Sequence, residues 1–144
     1  MKLAFITLSP EGAALFAELK KTFAEADYFL HDKVEGEFSA RRFARVADLT
    51  GDIFGGYEGL VYIAPSGAVV RAIAPHVKDK MKDPAVLQID VGGRWVVSLL
   101  SGHEGGANAL AFSVANAIGA EPVISTSTDA AKNLIVGVGC RRGI

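Results

Sequence analysis

A histidine and a glutamate stand side by side in a glycine-rich segment, at His103 and Glu104. Both side chains can take up and release protons in a reaction. The neighbouring Gly102, Gly105 and Gly106 allow the backbone to approach a bound molecule closely. These residue types predict a binding site that contains groups suited to acid–base chemistry.

The elements on either side of this segment would hold it in a defined place. An apolar run, Trp95–Leu100, comes before it, and a helix-like run, Ala107–Ile118, follows it. A strand therefore leads into a glycine-rich loop that opens a helix. The first N–H groups of a helix have no partner within the helix, so they can bind an anion.

Strands and helices alternate along the chain. Apolar runs predict strands at 2–8, 28–31, 59–64, 86–90, 94–100, 122–125 and 134–138. Helical spacing of apolar residues predicts helices at 11–24, 68–76 and 107–118, and a roughly helical pattern covers 39–54. The first helix has a start signal at Ser9-Pro10-Glu11, and Gly119 is suited to end the last one. This alternation predicts an α/β fold with a mostly parallel, mixed central sheet flanked by helices, a Rossmann-like layer architecture.

The direction of each strand decides which loops can share a site. Val91–Gly93 predicts a hairpin, so one of its two strands runs against the rest of the sheet. We assign that direction to Val86–Asp90, because Arg94–Leu100 must feed a right-handed crossover helix.

With this assignment, four loops lie beyond the carboxyl ends of parallel strands, where open α/β sheets bind ligands. These loops are Ser9–Gly12, Pro65–Gly67, Ser101–Gly106 and Ser125–Asp129. We therefore expect Ser66, His103 and Thr126 on one edge of the sheet.

Composition limits the class of protein. The chain has 144 residues, of which 50% are hydrophobic and 22% charged, as in a packed domain, and its net charge of −1 offers no footprint for nucleic acid. No apolar run approaches the roughly 20 residues that span a bilayer, and no secretory signal is recognisable. The single Cys140 and three scattered histidines form no zinc ligand set. We expect a cytoplasmic protein that binds neither nucleic acid nor membrane.

Several segments in the same order resemble the CbiG family of cobalt-precorrin-5A hydrolases, which belongs to anaerobic cobalamin biosynthesis. The matching segments are 70–76, 78–80, 83–86, 98–103, 105–108 and 122–129. The resemblance is strong from Gly55 to Asp129, whereas the N-terminal strand and helix agree in pattern only. A run of several long motifs is far more specific than a single glycine motif.

The end of the chain also resembles part of this family. Leu134–Gly143 is similar to the opening strand and loop of the family's separate C-terminal domain, and the middle segment is missing. We therefore expect an N-terminal α/β domain over residues 1–130 and a residual strand and loop over 131–144. An apolar strand such as Leu134–Val138 must pair, and we expect it to join its own sheet or that of a second copy in a homodimer.

The resemblance implies that the protein opens the δ-lactone of cobalt-precorrin-5A and releases acetaldehyde to give cobalt-precorrin-5B. Cobalt arrives within the substrate, so neither a cofactor nor a protein metal site is implied. The implied partners are this corrinoid and a separate C-terminal domain or other enzymes of the pathway. Two alternatives stay open: a non-catalytic corrinoid-binding or partner-docking module, and a phosphate-binding protein. Against the phosphate-binding alternative, the chain has no Walker-type lysine motif.

The family chemistry implies roles for individual residues. His103 would activate water as a base, and Glu104 adds a carboxylate beside it. Backbone N–H groups near Gly105 to Asn108 would bind an oxyanion or a carboxylate. Arg71 would pair with an acetate or propionate arm of the substrate. The substrate-binding set is Ser66, Gly67, Arg71, Ser101, Gly102, Gly105, Gly106, Asn108, Thr126 and Ser127.

Ordinary structural roles compete with these functions. His103 would instead tie its loop to a backbone carbonyl, Arg71 would form a salt bridge with Asp83 or Asp90, and Asn108 would only contact the first turn of its helix. His76 would compensate a helix end. The lysines 78, 80 and 82 would lie on a solvated loop.

Overall fold

Seven strands form one sheet within residues 1–127, the part of the chain that a computed structural model describes. The strands are β1 (Leu3–Thr7), β2 (Asp27–His31), β3 (Arg41–Phe43), β4 (Gly59–Ile63), β5 (Ala85–Ile89), β6 (Trp95–Leu100) and β7 (Glu121–Val123). The α-helices are α1 (Pro10–Thr22), α2 (Val46–Ile53), α3 (Ser66–Ile73) and α4 (Ala107–Ile118), and a short 3₁₀-helix covers Ala74–His76. The predicted α/β class is confirmed.

The order across the sheet is β3-β2-β1-β4-β5-β6-β7. Strands β1 to β5 are parallel to their neighbours, β6 is antiparallel to β5, and β7 is parallel to β6. The sheet is therefore mixed and mostly parallel.

Helices cover both faces of the central strands. Side chains alternate across β4, so Val61 and Ile63 face the α1 and α4 layer while Leu60 and Tyr62 face the α2 and α3 layer. All residues of β1, β4 and β5 are buried. Strands buried on both faces give continuous apolar runs, which explains why these three were recognisable in the sequence.

The predicted ends of two helices are confirmed. The Ser9 hydroxyl accepts a hydrogen bond from the Gly12 N–H at 3.1 Å, with Pro10 in the first turn of α1. Helix α4 ends at Gly119, whose φ of 70° lies in the left-handed region that glycine adopts readily.

The predicted direction of Val86–Asp90 is wrong. β5 runs parallel to β4, and β6 is the strand that reverses. The hairpin itself is confirmed, and β6 and β7 are parallel strands joined by α4, as the crossover requires. The crossover fixes β6 relative to β7, however, and does not fix β6 relative to β4.

The helical pattern over residues 39–54 covers two elements. Arg41–Phe43 forms the edge strand β3, and only Val46–Ile53 is helical. No helix within residues 1–127 is long and apolar enough to cross a membrane. The predicted strand Leu134–Val138 and the residual segment 131–144 lie outside the described residues.

Candidate active site

The sheet has two edges that matter for function. We call the side of the sheet where β1, β4 and β5 begin the amino edge, and the side where they end the carboxyl edge. Both terms refer to the ends of the strands and not to the outermost strands β3 and β7. Because β6 is antiparallel, Leu100 at its end pairs with Val86 at the start of β5. The segment Ser101–Gly106, which we call the His103 loop, therefore lies at the amino edge.

Backbone hydrogen bonds close the base of the His103 loop. The N–H of Ala107 donates to the carbonyl oxygen of Ser101 at 3.1 Å, and the N–H of Asn108 donates to that of Gly102 at 3.0 Å. These two N–H groups of the first turn of α4 are thus engaged within the protein. An oxyanion would have to use other donors or displace these bonds, and the anion-binding role of the N–H groups near Gly105 to Asn108 stays a prediction.

Three glycines of the loop have conformational or steric reasons to be glycine. A Cβ atom on Gly102 would lie 2.8 Å from Asn108 Oδ1, and one on Gly105 would collide with the side chain of Ser101. Gly106 has a φ of 85°, which a side chain disfavours. Ser101 also has a positive φ, 58°, and it is the one residue other than glycine in the described chain to do so. The backbone of the loop is therefore closely packed at Gly102 and Gly105, which leaves no room for a side chain at either position.

Asn108 connects three elements beneath this loop. Its side chain is 5% exposed, its Oδ1 accepts a hydrogen bond from the Ser98 hydroxyl at 2.7 Å, and its Nδ2 donates to Thr126 Oγ1 at 2.9 Å. Asn108 thus does more than contact its own helix turn, since it fixes β6, α4 and the segment after β7 relative to one another. Direct contact of Asn108 with a substrate stays a prediction.

His103 and Glu104 project from the loop into solvent. The His103 Nε2 atom lies 3.8 Å from Glu104 Oε2, and 66% of the imidazole side chain is exposed against 33% of the carboxylate side chain. Within residues 1–127, no hydrogen bond ties the imidazole to a backbone carbonyl. The structural alternative for His103 is therefore not supported, and its ring is accessible to a substrate.

The expected gathering of Ser66, His103 and Thr126 on one edge is wrong in part. Thr126 follows β7, which is parallel to β6, and it joins the His103 loop through Asn108. Ser66 follows β4 and lies at the carboxyl edge, because β4 and β6 run in opposite directions.

Gly67 and Arg71 share the α3 helix with Ser66. A Cβ atom on Gly67 would lie 3.1 Å from Arg71 Nη1, so the guanidinium folds back toward the start of the helix at the carboxyl edge. No ion pair among residues 1–127 includes Arg71, and the salt bridge considered for it is not formed. The roles of Ser66, Gly67 and Arg71 as substrate contacts stay predictions. Ser66 and Gly67 begin α3 at the carboxyl edge, opposite the His103 loop, whereas Arg71 is in the last turn of that helix.

A cleft lined by basic residues lies at the amino edge, and the sequence did not predict it as a site. His76, Lys78 and Lys82 line an open cleft of about 280 Å³ with Gly51, Phe54, Gly55, Asp83 and Pro84, and we call it the cationic cleft. The Ser101 hydroxyl donates to the carbonyl oxygen of Asp83 at 3.2 Å and joins the cleft to the His103 loop. The closely spaced lysines were the one sign of this cleft in the sequence, but the lysines of an ordinary solvated loop have the same spacing.

The described part of the chain thus defines an α/β domain whose candidate acid–base pair lies beyond an antiparallel strand. The family described as Cobalamin synthesis G N-terminal matches residues 48–129, more than half of the chain. The chain belongs to this family. The matched residues include the His103 loop, the cationic cleft and Asn108.

Two curated relatives agree with this assignment, and a solved structure agrees with the fold. The cobalt-precorrin-5A hydrolase of Priestia megaterium is 41% identical over 138 residues, 92% of this chain, and that of Salmonella typhimurium is 41% identical over 127 residues, 88% of it. The crystal structure of a cobalamin biosynthesis protein G homologue from Sulfolobus solfataricus has a TM-score of 0.67 and 22% identity over 93% of this chain, which supports the fold.

The chain is much shorter than these proteins. It covers 37% and 36% of the two curated relatives and 40% of the chain in the crystal structure. It therefore spans a little over a third of the length of the proteins that it matches.

Proposed function

We propose that the protein acts in cobalamin biosynthesis and opens the δ-lactone of cobalt-precorrin-5A with release of acetaldehyde. Family membership and the names of two relatives at 41% identity support this proposal. The single structural observation that carries it is the His103 loop, which is closed at its base and presents His103 and Glu104 to solvent.

The chemistry needs a base at two stages. Water must lose a proton as it adds to the lactone carbonyl, and the collapse of the tetrahedral intermediate gives a carboxylate and an alcohol. The alcohol carbon leaves as an aldehyde when the hydroxyl loses its proton and the adjacent carbon–carbon bond breaks, with a proton delivered to the carbon left behind. An accessible imidazole can accept and return such protons near neutral pH.

The residues around the loop suit a substrate rich in oxygen atoms. Ser101, Thr126 and Ser127 carry hydroxyl groups at the amino edge, and the Glu104 carboxylate lies 3.8 Å from the His103 Nε2 atom. Cobalt belongs to the substrate in this proposal. The proposal places the protein in the cytoplasm, where a single cysteine stays reduced.

Direct measurement of acetaldehyde tests the proposal. The purified chain is incubated with cobalt-precorrin-5A, alone and with the C-terminal part of a longer relative supplied as a separate polypeptide. Acetaldehyde in equal amount to the corrinoid consumed, from either mixture, supports the hydrolase. Absence of acetaldehyde from both mixtures, while the corrinoid binds, would instead indicate the non-catalytic binding module.

A further inference from the structure

The cationic cleft has positive charge and an apolar floor but no assigned ligand. Lys78 and Lys82 are exposed at its rim, His76 is partly exposed, and Phe54 and Pro84 are buried beneath them. The rings of Phe54 and His76 lie 5.6 Å apart between centroids, so the imidazole packs on the floor of the cleft. A short carboxylate arm is complementary to this cleft, because its stem is apolar and its end is anionic.

The lysines and the histidine of the cleft, Lys78, Lys82 and His76, form no ion pair with any of the residues that the structure describes. The carboxylate of Asp83 instead accepts hydrogen bonds from the N–H groups of Lys78 and Asp79, at 2.9 and 3.1 Å. Asp83 therefore shapes the loop that carries the two lysines, and within residues 1–127 its carboxylate forms no ion pair with their ammonium groups.

The cleft also lies beside the candidate active site. Asp83 lines the cleft, and its carbonyl oxygen accepts a hydrogen bond from the Ser101 hydroxyl of the His103 loop. A flat substrate with several arms can therefore contact both regions at the amino edge. The guanidinium of Arg71, which the resemblance implies would hold an arm, folds back toward Gly67 at the start of α3.

We propose that the cationic cleft binds a peripheral acetate or propionate arm of the corrinoid whose lactone is placed at the His103 loop. This inference rests on the proposed function for the identity of the ring. Lys78 and Lys82 supply charge-assisted hydrogen bonds to the carboxylate, and Phe54 and Pro84 contact its methylene groups.

The test uses cobyrinic acid, a corrinoid with free carboxylate arms, titrated into the full chain while its absorbance is followed. We expect Lys82→Glu and Lys78→Glu each to raise the Kd about tenfold, which is the effect of about 1.4 kcal/mol. Lys80→Glu is the matched control. Lys80 lies on the same loop but outside the cleft, and its substitution changes the net charge by the same amount. We expect its Kd to stay within about twofold of the wild-type value.

Two further measurements separate charge recognition from other effects. Cobinamide has the same ring with amidated arms, so its Kd should not change in Lys82→Glu. Gly55→Leu should weaken binding of cobyrinic acid, since Gly55 lines the cleft and a leucine there takes up space that the arm would occupy, without a clash of its Cβ atom. Equal effects of Lys80→Glu and Lys82→Glu, or an unchanged Kd in Lys78→Glu and Lys82→Glu, would overturn the proposal. So would a failure of the wild-type chain to bind cobyrinic acid.

The acetaldehyde assay keeps this inference distinct from the proposed function. Acetaldehyde release with the same KM in Lys82→Glu and wild type would leave the hydrolase in place and overturn the cleft. Charge-selective binding without acetaldehyde from any mixture would support the cleft as a carboxylate site and overturn the hydrolase.

Discussion

The hydroxyl of Ser101 donates a hydrogen bond to the carbonyl oxygen of Asp83 at 3.2 Å, and this contact joins the His103 loop to the cationic cleft. The contact exists because β6 runs against β5, so that the end of β6 meets the segment before β5. A parallel β6 would have delivered His103 to the carboxyl edge, beside Ser66. One strand reversal therefore decides which residues can act together on a substrate.

The Asn108 amide should stabilise this edge of the fold. Asn108→Ala removes the partner of the buried Ser98 hydroxyl and of Thr126, and we expect the free energy of unfolding to fall by about 1–3 kcal/mol. The measurement is urea denaturation followed by circular dichroism. Asn116→Ala is the control, since Asn116 is exposed on the same helix and should change stability by less than about 0.5 kcal/mol. Equal losses in both variants would contradict the role of these hydrogen bonds, because alanine favours a helix more than asparagine and the substitution itself costs no helix propensity.

The His103 loop should not tolerate a side chain at position 105. A Cβ atom there would lie 2.9 Å from the Ser101 carbonyl oxygen and closer still to its side chain, so Gly105→Ala should cost about 1–3 kcal/mol of stability. Gly55→Ala makes the same chemical change at a position with open space and should be neutral or slightly stabilising. Thermal unfolding of the two variants provides the comparison, and a Gly105→Ala protein as stable as wild type would contradict the close packing of Gly105 against Ser101.

Local patterns predicted most of the elements, whereas strand direction depended on distant partners. The Ser9 cap, the Gly119 end of α4 and the buried runs of β1, β4 and β5 are encoded within a few residues. The turn at Val91–Gly93 predicted an antiparallel pair but not which member of the pair reverses. That choice depends on whether β4 pairs with β5 or with β6, and no local pattern records it.

Two features of the structure, the edge strand β3 and the cationic cleft, escaped the sequence for physical reasons. β3 has three residues, of which Arg41 and Arg42 are exposed, so it lacks the alternating apolar pattern of a half-buried strand. Lys78 and Lys82 are typical of a solvated loop until the ends of α2 and the 3₁₀-helix place Phe54 and His76 next to them. The segment 101–106 was recognisable because its acid–base pair and its glycines are adjacent in the chain, although Gly102 and Gly105 are explained by packing against Asn108 and Ser101.

Stability should fall at alkaline pH partly because of Tyr62. Burial raises the pKa of Tyr62 to about 12, although the hydrogen bond with Thr50 acts in the opposite direction. The tyrosine pKa of an unfolded chain is about 10, so this contribution is fully present below pH 10 and is lost as the pH rises toward 12, by about 2 kcal/mol in total. Tyr62→Phe should therefore show a shallower loss of unfolding free energy between pH 9 and about 11. Thr50→Val with Tyr62→Phe controls for the unpaired Thr50 hydroxyl, and an identical slope in all three proteins would exclude Tyr62 as the cause.

If His103 is the base, its replacement should remove catalysis without removing binding. His103→Gln keeps hydrogen-bonding capacity but cannot accept a proton near neutral pH, so kcat for acetaldehyde release should fall by about 10²–10⁴-fold. Glu104→Gln should lower kcat by no more than about fivefold, because an exposed ion pair contributes at most about 1 kcal/mol. His31→Gln is the control, since His31 lies at the end of β2 on the opposite edge and should leave kcat unchanged. The Kd for cobyrinic acid should stay near the wild-type value in all three variants. Should His103→Gln retain most of its activity, the general-base role would be excluded, and the loop would be better described as a clamp for a substrate carboxylate.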